Sequence, residues 1–174
     1  MGEYLPANED TAVVYDSSGD LHSFPQIHAS ASVRAVLFTL FDLDGHLVAG
    51  VRHEAFEFPV LQKLVSGDSS LFAYGTETGD SWWGSAPLPT LTKAQSGLVA
   101  EIDVDDGQLL WAAIAGESDS RLTPQLLAPT TSGPGLTFAG VTKGEYTIGA
   151  VSGDTDRAQL FLTRFNSAGG AACQ

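Results

Sequence analysis

Few residues of this chain have the types and spacing that chemistry requires. His53, Glu54 and Glu57 form the closest group of histidine and carboxylates. A zinc site needs at least three ligands, commonly with two histidines or cysteines, so this pattern favours a solvated loop. The sequence also lacks a Gly-x-Ser-x-Gly elbow, a phosphate-binding loop and a paired cysteine and histidine. We therefore predict no catalytic residue.

Two acidic segments resemble the start of calcium-binding loops. They are residues 42–45 (DLDG) and residues 103–107 (DVDDG). Calcium takes about six to eight oxygen ligands, and an EF-hand loop supplies a glutamate at its twelfth position. That position holds His53 in one segment and Ile114 in the other. We interpret both segments as Asp-Gly turns and predict no metal site and no other cofactor.

Two adjacent tryptophans, Trp82 and Trp83, follow Asp80 and precede a segment with two prolines. Successive residues of a strand point to opposite faces, so only one of these tryptophans can be buried in a given layer. The other is expected at the surface or at an interface. An exposed aromatic ring suits stacking on a sugar or contact with a protein, and packing against a neighbouring repeat is the competing interpretation. Asp80, Trp82 and Trp83 are the candidate ligand-binding residues.

Charge and hydropathy narrow the classes of partner. The chain has 8 basic and 21 acidic residues and a net charge of −13. Such a surface repels phosphate backbones and anionic membranes, which argues against nucleic acid as a partner. The longest apolar runs are too short to span a bilayer. The N-terminal residues lack the pattern of a signal peptide, so the compartment stays open between the cytoplasm and secretion after removal of a leader.

The strongest pattern is an internal repeat. Glycines at positions 45, 107 and 169 each follow a β-rich run with Asp or Asn at its end, and they lie 62 residues apart. A second alignment matches residues 59–75 with residues 124–140 at a spacing of 65, and it extends to Gly79 and Gly144. Apolar runs joined by a polar turn with glycine are typical of β-hairpins. We predict a single all-β domain, 1–174, with about three four-stranded antiparallel units (1–58, 59–122 and 123–174).

The predicted strands follow from apolar runs bounded by turn residues, and no segment has a convincing helical period. Residues 153–157 are interpreted as a polar loop. The predicted strands are 4–6, 12–15, 33–42 and 47–51 in the first unit, 60–65, 71–76, 98–103 and 109–114 in the second, and 125–128, 136–141, 146–151, 158–165 and 171–174 in the third.

Residues 98–111 (LVAEIDVDDGQLLW) resemble the core of a PQQ-type or bacterial SBBP-type β-propeller repeat. In those families an apolar strand ends in Asp, turns through Gly and re-enters as Leu-Leu-Trp. Residues 160–169 and 36–49 are similar to the same segment but lack the tryptophan. The resemblance implies four-stranded propeller blades, with Trp111 over the seam between adjacent blades. It does not imply a quinone cofactor, because the central ligands of quinone enzymes are not found in the sequence.

The number of units has a consequence for function. Closed propellers typically have about four to eight blades, and an array that is not closed would expose an apolar face at each end. Two copies could close a six-bladed ring, the chain could belong to a longer protein, or the strands could form a β-sandwich or barrel. We favour a homo-oligomer, with a dimer as the simplest case.

The leading hypothesis is a non-enzymatic β-repeat module for binding or assembly, with protein or carbohydrate contact through loops and exposed aromatics. The alternative is a hydrolase or lyase whose acidic residues converge at the centre of the ring. Two acids held close together in a central funnel would favour the enzyme.

Overall fold

The computed structural model describes residues 3–5, 11–28, 33–56, 60–67, 70–76, 79–93, 95–130, 135–148 and 151–173. Within these ranges the chain forms strands and no helix, so no helix is present that could cross a membrane. The predicted all-β fold is confirmed. The strands are β1 (Glu3–Leu5), β2 (Thr11–Tyr15), β3 (Leu21–Pro25), β4 (Arg34–Phe41), β5 (Leu47–Ala55), β6 (Val60–Ser66), β7 (Ser70–Thr76), β8 (Ser81–Trp83), β9 (Ala86–Pro87), β10 (Gln95–Asp103), β11 (Leu109–Ser118), β12 (Arg121–Pro129), β13 (Gly135–Ile148), β14 (Val151–Asn166) and β15 (Ala171–Cys173).

These strands form three antiparallel sheets. The large sheet has the order β15-β14-β13-β11-β10-β7-β6, and β12 also pairs with β13. A five-stranded sheet has the order β1-β4-β5-β8-β9, and β2 with β3 forms a separate hairpin. The large sheet curls until β6 approaches β12, where the ammonium group of Lys63 donates a hydrogen bond to the carbonyl oxygen of Gln125 at 2.7 Å. This sheet is therefore nearly closed and barrel-like.

Four hairpins, which we call the outer hairpins, are closed by turns of one construction. Each turn begins with Asp or Asn, whose Oδ1 accepts a hydrogen bond of 2.7–2.9 Å from the backbone N–H two residues later. Each turn also contains a glycine with φ between +72° and +85°, a conformation that glycine adopts without steric penalty. The hairpins are β2–β3 with Gly19, β4–β5 with Gly45, β10–β11 with Gly107, and β14–β15 with Gly169.

Two further hairpins, β6–β7 and β12–β13, are structurally equivalent. Each contains a β-bulge in its first strand, with Gln62 as the extra residue in β6 and Gln125 in β12. The bulges face residues 74–75 and 139–140, which are 65 residues apart. The bulges themselves are 63 residues apart, so the loop between β12 and β13 is two residues longer than its counterpart. The first strands therefore align two residues away from the proline-based match of the sequences.

Most predicted strands coincide with observed ones. The four strands of the second unit correspond to β6, β7, β10 and β11. Strand β3 was not predicted. Residues 153–157 are part of β14 rather than a loop, because β13 and β14 pair as one long hairpin that closes between Ile148 and Val151. The predicted strand 146–151 therefore runs across the end of that hairpin.

The layers stack in chain order, and each uses a different face toward each neighbour because successive strand residues point to opposite sides. The hairpin β2–β3 packs on β4 in a small cluster. The other face of β4–β5 packs on β7 and β10, a contact that we call seam one. The far face of β7, β10 and β11 packs on β12, β13 and β14, a contact that we call seam two. Seam one buries Phe38, Val51, Ala73, Trp83, Leu88, Leu91, Leu98 and Ile102. Seam two buries Phe72, Tyr74, Val99, Trp111, Ala115, Leu127, Leu136, Phe138 and Phe165.

Candidate functional site

The two adjacent tryptophans have different environments. Trp83 is buried in seam one, where its Nε1 donates a hydrogen bond to the carbonyl oxygen of Gly107 at 2.9 Å and its ring packs against Phe38. Trp82 points to the other face of β8 and is half-buried. The pairing of β8 with the end of β5 decides this choice, since it fixes which face of β8 meets the second unit. Trp83 is thus part of the core, and Trp82 is the tryptophan of the pair that reaches the surface.

Trp82 belongs to a small aromatic cluster. Its ring stacks on His28 with centroids 4.0 Å apart and an interplanar angle of 19°. The ring of Phe56 lies edge-on to it at 5.6 Å and is itself exposed. Asp80, the third candidate residue, is half-buried, and its Oδ1 accepts a hydrogen bond of 2.8 Å from the hydroxyl of Thr90. The Asp80 carboxylate therefore holds the segment that follows β9.

A buried carboxylate supports the aromatic cluster from below. Glu54 is fully buried on β5, and its oxygens accept hydrogen bonds from the backbone N–H groups of Ile27 and His28 at 3.0 and 2.9 Å. His28 Nδ1 lies 3.0 Å from the same carboxylate, and Arg52 Nε lies 3.2 Å from it. Arg52 also donates to the carbonyl oxygen of Phe24. Glu54 therefore fixes the segment that holds the His28 ring against Trp82.

The prediction of a solvated loop at His53 and Glu54 is wrong. Both residues lie in β5 and are buried. Glu57 lies outside the described residues. A charged strand end of this kind reads as a loop in sequence, because the donors that neutralise Glu54 come from residues far away in the chain. Only the fold brings residues 27 and 28 to it.

A second buried carboxylate lies in seam two. Glu101 accepts a hydrogen bond from the hydroxyl of Ser70 at 2.6 Å and another from Nε1 of Trp111. The Trp111 ring packs between Phe72 and Phe165, so it covers the contact between the second and third units. Glu54 and Glu101 have separate sets of donors in different layers, so these two acids do not form a catalytic pair.

The acidic turn that begins at Asp42 brings three potential metal ligands together. One side-chain atom each of Asp42, Asp44 and His46 lie within 4.8 Å of one another, and all three residues are exposed. The Asp42 carboxylate already accepts hydrogen bonds from the backbone N–H groups of His46 and Asp44. The backbone hydrogen bond from His46, followed by its side chain and the Asp44 N–H, lowers the pKa of Asp42 against the opposing effect of burial. The grouping is thus explained by the turn itself.

The two ends of the stack present exposed apolar faces. At one end, β2–β3 exposes Val13, Tyr15 and Leu21, which are 53%, 67% and 54% accessible; we call this the head face. At the other end, β12–β14 exposes Leu126, Leu160 and Leu162 at 47%, 84% and 46%; we call this the tail face. Register places Ala139 beside Leu126 and Leu162, and Val141 beside Leu160, on the same side of the sheet. The tail face is therefore continuous across three strands.

Charge differs sharply between the two ends. Residues 120–174 carry four basic and three acidic side chains, whereas residues 1–119 carry four basic and eighteen acidic ones. Arg121 and Lys143 are exposed and directly opposite each other at one edge of the tail face, and Arg164 follows Leu162 on the same side of β14. The outer hairpin of the head face has Asp16 and Asp20 at its turn and no basic residue. The uneven distribution was readable in the sequence, but the net charge of the whole chain conceals it.

Comparison of the chain with protein-family models, with curated proteins and with solved structures finds no match.

Proposed function

We propose that this protein is a non-enzymatic β-repeat module that acts by association, and that the head and tail faces are its interaction surfaces. The observation that carries the proposal is the exposure of Leu160 and Leu162 beside Leu126 on a continuous sheet face. Contiguous exposed apolar patches on soluble proteins mark sites of protein contact. The head face offers a second such patch at the far end of the stack.

The stacking of the layers supports a propeller-like architecture for the module. In both seams one face of a unit covers the opposite face of the next, as adjacent blades do in a propeller. The residues of each end face have the types found inside the seams, which supports association over a purely structural role. The hydrolase or lyase alternative is weaker, because the buried acids Glu54 and Glu101 are held in different layers.

The proposal is tested by comparing the wild type with a variant that is charged at both ends, Leu21→Glu with Leu160→Glu. Both proteins are immobilised and offered an extract of the native cells and, separately, the purified wild-type chain. We expect the wild type to retain at least one of these partners and the variant to lose it. Identical retention by the two proteins would contradict the proposed function.

A second candidate is contact with a carbohydrate or peptide at the aromatic cluster of Trp82, His28 and Phe56. It is favoured by the exposed edge of Phe56 next to a half-buried indole. A glycan array and a peptide array measure it directly. A signal that is lost in Trp82→Ala and kept in Phe41→Ala, an exposed aromatic elsewhere, supports this site, and equal signals from both variants exclude it.

A further inference from the structure

We propose that the head face of one copy of this chain docks on the tail face of a second copy and reproduces the contact that the chain makes in its own seams. The proposal rests on the function proposed above and names the partner. It commits to a head-to-tail arrangement, in which two different surfaces meet.

The first support comes from equivalent positions before the four turns. The residue four places before each turn Asp or Asn is Ala12, Phe38, Val99 or Leu162. The first three face the following layer and are at most 6% exposed, whereas Leu162 is 46% exposed. Leu162 is thus a seam residue of the third unit for which the described chain provides no following layer.

The head face is the complementary half by the same comparison. The residue immediately before the turn is Tyr15 in the first outer hairpin and Ile102 in the third. Ile102 is fully buried in seam one against the layer that precedes it, whereas Tyr15 is 67% exposed. Seam one joins the face of Phe38 to the face of Ile102. A contact between Leu162 and Tyr15 of two copies would therefore join the same two kinds of face.

Charge supports the same pairing. The head hairpin carries Asp16 and Asp20, and the tail face is bordered by Arg121, Lys143 and Arg164. Opposite charges at the rims favour head-to-tail contact over head-to-head contact, which would bring like charges together. Two different faces on one chain form a heterologous interface, which closes into a ring or continues as an open array according to the rotation between copies.

The test is a complementation experiment with light scattering after size-exclusion chromatography. The tail variant is Leu160→Glu with Leu162→Glu, and the head variant is Tyr15→Glu with Leu21→Glu. All four side chains are exposed, so both variants are expected to fold, which circular dichroism checks. Leu110→Glu, an exposed leucine in the second unit, is the matched control.

We expect the wild type and the control to form oligomers and each variant alone to be a monomer. An equimolar mixture of the two variants should form a one-to-one dimer, because the intact head of one variant meets the intact tail of the other. A monomeric wild type at all concentrations overturns the inference. So does a variant that still associates alone, since that outcome indicates contact between identical faces. A monomeric wild type that retains another protein through its end faces leaves the proposed function intact while excluding the second copy as partner.

Discussion

Seams one and two join equivalent faces, yet they are filled in different ways. In seam two, Trp111 of the second unit lies against the turn of the third, where a Cβ on Gly169 would be 2.8 Å from the indole. The register places Ala49 at the equivalent position in seam one, and there a Cβ on Gly107 would be 3.1 Å from the Ala49 methyl group. An alanine fills much less volume than an indole, so seam one needs another source of apolar bulk.

That source is the segment between β7 and β10. It leaves the second unit, adds β8 and β9 to the sheet of the first unit and inserts Trp83 into seam one. The Trp83 indole bonds the same Gly107 turn that Ala49 touches. Seam two has its tryptophan within the repeat, and seam one obtains it from an insertion. The comparison teaches that the stacking geometry is kept while the residue that fills it is not.

The largest effect is expected at equivalent leucines of the two inner hairpins. Leu127 is buried in seam two, whereas Leu64, its counterpart in β6, is 42% exposed. We expect Leu127→Ala to lower the free energy of unfolding by about 2–5 kcal/mol, and Leu64→Ala to change it by only about 0.5 kcal/mol. Urea unfolding followed by circular dichroism measures both. Equal losses would mean that the two hairpins have equally packed environments.

A smaller difference is expected between the two seam tryptophans. Trp111→Phe removes the donor to the Glu101 carboxylate, whereas Trp83→Phe removes the donor to a carbonyl oxygen. Hydrogen bonds to charged groups are worth about 1.5–3 kcal/mol and neutral ones about 0.5–1.5 kcal/mol. We expect Trp111→Phe to be the more destabilising, as measured by the urea midpoint at a constant slope. The reverse order would show that the Glu101 carboxylate does not strengthen seam two.

The double variant Trp111→Phe with Glu101→Gln is the control for that comparison. Gln lacks the charge of Glu but keeps an acceptor oxygen for Ser70. We expect the two changes to be less than additive, because they share one hydrogen bond. Strict additivity would indicate that Glu101 and Trp111 act independently.

The smallest effect concerns pH at the polar end that both seams share. Burial opposes ionisation of Glu117, but hydrogen bonds from the backbone N–H groups of Thr92 and Lys93 and from the Ser96 hydroxyl outweigh it and lower its pKa below 4.5. Because the folded state holds this pKa below the unfolded value, the stabilisation is complete above about pH 4.5 and is lost as the pH falls further.

Unfolding by urea between pH 7 and pH 3 therefore tests Glu117→Gln. We expect the variant to lose less stability than the wild type on acidification, with the difference confined to the range below pH 4.5. Parallel curves for the two proteins would show that Glu117 is not the group that titrates.

Much of the local structure could be predicted from the sequence. The turn glycines and the Asp or Asn before them identified three of the four outer hairpins, because a positive φ and an Asx hydrogen bond depend on residues a few positions apart. The strands of the second unit followed for the same reason. Strand β3 escaped notice because Leu21–Pro25 is short and mixed in character, and its pairing with β2 is what makes it a strand.

The candidate site was predicted less well. The sequence singled out Trp82 and Trp83 but did not distinguish them, since alternation gives two faces without saying which one meets a neighbour. It also assigned Glu54 to a loop. The charged and apolar end faces were present in the sequence as Leu160, Leu162 and the nearby basic residues, but their exposure depends on what the rest of the chain covers.

By itself, the sequence determined the all-β class, the repeating turns and the alternation that gives each strand an apolar side. These depend on backbone conformation and on neighbours within a few residues. Only the tertiary structure decided which apolar sides are buried. Val99 and Leu162 occupy equivalent positions in their hairpins, and one is buried while the other is exposed, because a following layer covers only the first. Burial is a property of the stack, and no local pattern encodes where the stack ends.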